Sequence, residues 1–172
     1  MKKIIADAIK ELMGTKPLAK ISVSDIVEAA DINRNSFYYH FKDKFDLVNW
    51  IFYTEITQKL DEQNIDPQDI AADSLDFLCA FLYENRAFYI NALSVTGQNS
   101  FIEYFHSLLK ELIAAYLSDM LDSHREFYAT FFADSFSLAL NRWLVQGAEM
   151  PPEELSSLLK TIFTDWSKSL TE

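Results

Sequence analysis

Apolar residues recur at helical spacing along nearly the whole chain, and the polar punctuation between them predicts about nine helices and no strands. Ile4, Ile5, Ala8, Ile9 and Leu12 share one face of a first helix over 2–13. Gly14-Thr15-Lys16-Pro17 stops it, because proline cannot continue a helix and disfavours helical geometry in the residue before it. Ser22 has the side chain of an N-cap, with Asp25 three residues on, so a second helix starts there and buries Ile26, Val27 and Ala30. After the turn Asp31-Ile32, Asn33 caps a third helix from Arg34 to about Phe41. Asp43 caps a longer one carrying Phe45, Leu47, Val48, Ile51, Phe52, Ile56 and Leu60.

Asn64-Ile65-Asp66-Pro67 marks the next boundary, with Asp66 as N-cap and Pro67 at the first helical position. Helices are then predicted over about 67–84, 86–94, 99–121, 124–147 and 151–170. The fold class is all-α: an N-terminal three-helix domain over 1–48 and a C-terminal helical bundle over 49–172.

Composition narrows this picture. The 172 residues are 49% apolar and 15% aromatic, enough to build a substantial core and too apolar for a disordered chain. With 3 glycines and 4 prolines, a turn-rich β fold is disfavoured. No apolar run is long enough to span a bilayer, and Met1-Lys2-Lys3-Ile4 leads straight into an amphipathic segment, so neither a transmembrane helix nor a signal peptide is expected. The single Cys79 cannot staple the chain, which makes a reducing cytoplasm the expected compartment. His40, His106 and His124 have no metal-ligand spacing with one another or with Cys79. No nucleophile elbow, phosphate loop or zinc-protease motif occurs, so no enzyme, metal or cofactor is expected.

The net charge of −11 is unevenly spread: residues 1–50 carry +1 and the remainder −12. Charges farther from DNA than a Debye length of about 8 Å are largely screened. Nucleic-acid contacts are therefore permitted in the N-terminal third and disfavoured elsewhere.

Residues 22–41 carry the chemistry. Two short helices joined by a tight turn have helix-turn-helix form, whose second helix can enter a major groove. In that second helix Phe37 and Phe41 lie four apart and share an inward face. Arg34, Asn35, Tyr38 and Tyr39 occupy other faces. Arginine can grip guanine O6 and N7, and asparagine adenine N6 and N7. Tyr38 and His40 offer donors to phosphate oxygens, Ser22 and Ser24 sit where helix amides favour an anion, and Lys44 opens the next helix, where it could anchor the flanking phosphate. On spacing alone, a purely structural aromatic helix pair fits these residues equally well.

Val23-Ser24-Asp25-Ile26-Val27, followed by Ile32-Asn33-Arg34-Asn35-Ser36-Phe37-Tyr38-Tyr39-His40-Phe41-Lys42-Asp43-Lys44-Phe45-Asp46-Leu47, resembles the DNA-binding domain of the TetR family. The resemblance covers residues 1 to about 48. It implies phosphate contacts from Tyr38, His40 and Lys44, base contacts from Arg34, Asn35 and Tyr39, and either role for Ser36. Asp31 stands where the family usually has glycine, and aspartate tolerates left-handed geometry better than most residues. Farther on, Phe88-Tyr89, Ala92-Leu93, Gly97-Gln98-Asn99-Ser100-Phe101, Tyr104-Phe105, Trp143, Gly147 and Pro152-Glu153-Glu154-Leu155 are similar to regulators grouped with the dihydroxyacetone kinase operon activator. That subgroup includes members that work with a protein coactivator.

The helix over 124–147 is apolar on more than one side. Tyr128, Phe132, Phe136, Leu140 and Trp143 form one stripe, and Phe127, Phe131 and Leu138 extend around it. The last helix is similarly wide. A homodimer interface through Phe127, Phe131, Leu138, Leu155, Leu159, Ile162 and Trp166 is therefore expected, with an intramolecular core as the alternative. Cys79, Tyr83, Tyr89, Asn91, Tyr104, His106 and Asn141 set polar tips among phenylalanines and are candidates for an effector pocket, although satisfied core polar groups would look the same. The function expected is a dimeric regulator binding double-stranded DNA at a near-palindromic operator under a small-molecule or protein effector. The alternative is an all-helical adaptor without operator recognition.

Overall fold

A computed structural model describes residues 1–62, 70–97 and 100–169. Among them are nine α-helices and no strand. They are α1 (Lys2–Met13), α2 (Val23–Ala29), α3 (Arg34–His40), α4 (Lys44–Glu62), α5 (Ile70–Glu84), α6 (Arg86–Leu93), α7 (Phe101–Tyr116), α8 (Asp122–Val145) and α9 (Pro152–Ser169). The expected boundary at Asn64–Pro67 lies outside the described residues. No described helix is long and apolar enough to cross a membrane.

The chain divides into two compact units. The first comprises Met1–Lys59 and Ala87–Tyr104, so it extends beyond the 1–48 segment read from the sequence and takes in α6. Its core is the inward stripe of α1 (Ile5, Ile9, Met13) together with Ile26, Phe37, Leu47, Val48, Ile51, Phe52, Tyr89 and Phe101, all buried. α1 packs on α2 and α2 on α3. The Phe52 ring lies 5.7 Å from Tyr89, 5.3 Å from Phe101 and 6.3 Å from Tyr104, in edge-on geometries that aromatic pairs prefer.

Local chemistry fixes the ends of these helices. The Ser22–Asp25 capping box forms in full, and Asn33 Oδ1 accepts from the Ser36 amide at 2.8 Å. Asp43 Oδ1 accepts from the Phe45 and Asp46 amides, each at 2.8 Å. Between α2 and α3, Asp31 has φ +50°, the left-handed geometry the turn demands. Past Pro17 the chain makes a 3-10 turn at Leu18–Lys20, which periodicity does not announce because it is only three residues long.

The second unit comprises Leu60–Arg86 and Phe105–Glu172, within the described residues. α5 packs against α9 and α8. Phe132, Phe136 and Phe163 are buried, and Trp166 lies over them, 4.6 Å from Phe132 and 4.5 Å from Tyr128. Asp76 of α5 accepts from both Ser156 Oγ and Lys160 Nζ of α9, a polar clip beside the aromatic core. α7 ends at Tyr116 rather than near residue 121, because Leu117–Met120 form a turn.

The expected interface residues differ in exposure. Leu155 and Leu159 are 8% and 5% exposed and belong to the core of their own chain, on the helix that packs against α5. Trp166 is half-buried in the aromatic cluster. Phe127, Phe131, Leu138 and Ile162 are exposed, joined by Leu158 of the same wide apolar face and by Val145, which the sequence pattern did not single out.

Candidate nucleic-acid interface

α2 and α3 have seven residues each, too short to be stable in isolation, so their geometry comes from what they pack on. On α3, Phe37 is completely buried and Phe41 nearly so, their rings 6.0 Å apart. Successive helical residues turn by about 100°. Anchoring Phe37 and Phe41 therefore turns Asn35 and Tyr39 to the opposite side and Tyr38 to the flank, while Arg34 is the first residue of the helix; all four are exposed. Tyr38 is 52% and Tyr39 84% exposed, unusual for large aromatic rings unless they meet a partner. Ser36 and His40, four apart and half-buried, flank this face. An open cleft of about 410 Å³ runs along it, lined by Met1, Asn33, Asn35, Ser36, Tyr39 and His40. Guanidinium, carboxamide, phenol, hydroxyl and imidazole groups together supply hydrogen bonds suited to base edges and phosphates.

Elsewhere the structure gives the expected contact residues other work. Lys44 Nζ donates to the carbonyls of Leu18 at 2.6 Å, Ala19 at 3.3 Å and Ile21 at 2.7 Å. Burial lowers its pKa, against the opposing charges of Asp25 and Asp43. The ammonium thus ties the 3-10 turn to α4. Ser22 is likewise occupied: its hydroxyl donates to Asp25 Oδ2 at 2.7 Å and accepts from the Asp25 amide. The Ser22 backbone and side-chain hydrogen bonds, with Lys16 3.1 Å away, hold the Asp25 carboxyl down to about 2. That carboxylate in the first turn of α2 opposes an anion there. Ser24 is exposed.

Two exposed lysines near this face were not singled out by sequence reasoning. Lys2 Nζ sits 5.4 Å from the ring centres of both Phe41 and Trp50, and Lys42 directly follows α3. A basic residue opening an amphipathic helix gives no signal of which surface it will reach.

The candidate pocket residues divide between the units. In the first, Tyr89 is buried among Phe52, Phe88 and Phe101, and burial pushes its phenol pKa up. Tyr104 also touches Phe52. The Asn91 side chain is hydrogen-bonded to backbone at Met13, Lys16 and Leu18, so it is a structural staple. In the second unit, Cys79 is buried, and burial pushes its thiol up to about 12. Tyr83 stacks on Trp143 and under the Arg86 guanidinium. Asn141 Oδ1 is buried without a hydrogen-bond partner among the described residues. His106 Nε2 lies 2.8 Å from Asp134 Oδ1. Among the described residues no His, Cys, Asp and Glu group is arranged to hold a metal.

Residues 5–51, which contain this interface, match the family described as bacterial regulatory proteins, tetR family. Residues 69–165 match a family described as transcriptional regulator C-terminal region. The chain belongs to the TetR family of transcriptional regulators.

Among its relatives, the dhaKLM operon transcriptional activator DhaS of Lactococcus lactis is 34% identical over 113 residues, which are 64% of this chain and 59% of that protein. The matched stretch thus spans little more than half the length of that relative. An HTH-type transcriptional regulator of Staphylococcus aureus is 23% identical, covering 94% of this chain and 91% of the relative. Among solved structures, that of a dihydroxyacetone kinase operon activator, DhaS, superposes with a TM-score of 0.70 at 24% identity, over 97% of this chain and 96% of that one. NalD of Pseudomonas aeruginosa, described as the secondary repressor of a multidrug efflux pump, gives 0.51 at 19% identity over 92% of each. Identities at this level show the shared fold.

Proposed function

We propose that this TetR-family regulator binds a near-palindromic operator as a homodimer, reading bases with Arg34, Asn35, Ser36 and Tyr39 and holding phosphates with Ser24, Tyr38 and His40. The observation that carries the reading is the two-sidedness of α3: Phe37 and Phe41 lock one side into the core while two tyrosines and an asparagine stand in solvent on the others, with Arg34 exposed at the first position of the helix. Lys2 and Lys42, exposed beside that helix, supply further charge for the backbone. Ser22 and Lys44 are assigned a supporting role, since their polar groups already serve the protein's own backbone.

Dimerisation is assigned to the exposed apolar residues of α8 and α9, namely Phe127, Phe131, Leu138, Leu158 and Ile162, each about half exposed or more. So many large apolar side chains in solvent are costly for a lone chain and favourable in a symmetric interface. Two α3 helices would then enter successive major grooves about 34–36 Å apart. Control by a small molecule or a protein coactivator rests on a single feature of the second unit, the unpartnered buried acceptor of Asn141.

Selection of bound duplexes from a random DNA pool, at two salt concentrations, tests the reading. Enrichment of a palindrome with half-sites about ten base pairs apart supports it. Weak, salt-sensitive and sequence-blind retention would overturn it and favour an adaptor. Arg34→Ala should then cost about 1–3 kcal/mol and relax specificity at one base pair.

A further inference from the structure

Asn91 stands on α6, yet all its side-chain hydrogen bonds cross to a segment more than seventy residues earlier. Its Nδ2 donates to Met13 O at 2.9 Å and to Lys16 O at 3.0 Å, while its Oδ1 accepts from the Leu18 amide at 2.7 Å. Met13 is the last residue of α1, where helical carbonyls lack intrahelical donors. Only a carboxamide offers two N–H donors and an acceptor on one planar group. Its orientation is fixed, because flipping it would set an N–H against the Leu18 N–H. Glutamine would carry the group one methylene too far, and aspartate would bring no donor.

The next link in the chain is the Leu18–Lys20 turn. Asn91 holds the Leu18 amide from one side, and Lys44 of α4 holds the Leu18, Ala19 and Ile21 carbonyls from the other. Ile21 directly precedes Ser22, the N-cap of α2, and α2 passes through the Asp31 turn into α3. The path of the connection between α1 and α2 therefore sets the direction in which α2 leaves, and with it the placement of Arg34, Asn35 and Tyr39. Because α2 and α3 are too short to hold a geometry of their own, this connection acts together with the packing of α2 on α1 to fix the interface.

We propose that Asn91 is a positioning residue for DNA recognition, through which α6 holds the α1–α2 connection and so the helix-turn-helix in its binding arrangement. This rests on the operator-binding reading above and adds a residue, 51 positions beyond α3, that touches no DNA.

The test compares the unaltered chain, Asn91→Ala, Asn91→Asp and Ser94→Ala for affinity to a duplex enriched by the unaltered chain, with salt dependence and amide hydrogen exchange measured in parallel. Asn91→Asp keeps the size and the acceptor for Leu18 and removes both donors, so it serves if the alanine variant fails to fold. Ser94→Ala removes a hydroxyl just past the end of α6 that donates to the Asn91 backbone carbonyl. The expected result is at least a ten-fold loss of affinity for the Asn91 variants and none for Ser94→Ala. The Leu18 amide should lose protection in Asn91→Ala while those of Ile9 and Phe37 keep theirs. The slope of affinity against salt should be unchanged, since no phosphate contact is lost. Specific binding by the unaltered chain that Asn91→Ala preserves within two-fold would overturn the proposal alone. So would a loss of affinity matched by lost protection at Ile9 and Phe37, which is general unfolding. Failure of the unaltered chain to enrich any duplex would overturn the operator reading and this proposal with it.

Discussion

Phe37 and Tyr39 stand two residues apart on α3 and face opposite media: Phe37 has no exposed surface, and Tyr39 is 84% exposed. Their substitutions should separate folding from recognition. Phe37→Ala leaves a cavity beneath the helix and should cost about 3–5 kcal/mol of stability in denaturant unfolding. Tyr39→Ala should leave stability within about 0.5 kcal/mol and weaken specific DNA binding by about 1–3 kcal/mol. Equal losses of stability from both would remove the argument for a two-sided helix.

Lys44 distinguishes a scaffold lysine from a phosphate contact. Its ammonium satisfies three carbonyls around the 3-10 turn. Lys44→Met should therefore lower stability by about 1–3 kcal/mol by leaving those acceptors unpaired. DNA binding of the folded fraction should keep its salt slope. A slope reduced by about one would mean the lysine does reach a phosphate.

Asp25 gives a pH dependence with a defined sign. Its carboxyl is held at about 2 by Ser22 hydrogen bonds and by Lys16, below the ordinary range. A depressed folded value means the stabilisation is fully present above the unfolded pKa of about 4 and is lost as pH falls toward 2. Unfolding midpoints measured from pH 6 to pH 2 should favour the unaltered chain over Asp25→Ala at pH 6, and the gap should shrink steadily below about pH 4. A gap that persists at pH 2 would show that the carboxylate charge is not what stabilises the start of α2.

Phe131 and Leu155 test the interface against the core. Phe131→Glu, alone or with Leu158→Glu, places charge on the exposed α8 and α9 positions and should convert a dimer to a folded monomer in sedimentation at micromolar concentration. Leu155→Ala, at a buried position, should instead cost about 2–5 kcal/mol of stability and leave the association state of the folded protein unchanged. A monomeric unaltered chain would sink the assignment.

The sequence by itself determined the helices and the face that α3 presents, because both follow from short-range chemistry. The Ser22–Asp25 box, the Asn33 cap, the Asp43 cap and the stop at Gly14–Pro17 act within three or four residues, and helical geometry turns Asn35 and Tyr39 away from wherever Phe37 is anchored. Tertiary structure alone decided which of two apolar faces on α9 is covered, burying Leu155 and Leu159 and leaving Leu158 and Ile162 in solvent. It alone committed Lys44 to Leu18 and Asn91 to Met13, Lys16 and Leu18. Periodicity fixes which residues share a face but not what packs on it. A long polar side chain will likewise satisfy whichever backbone group the fold brings within about 3 Å, however far away it lies in the chain.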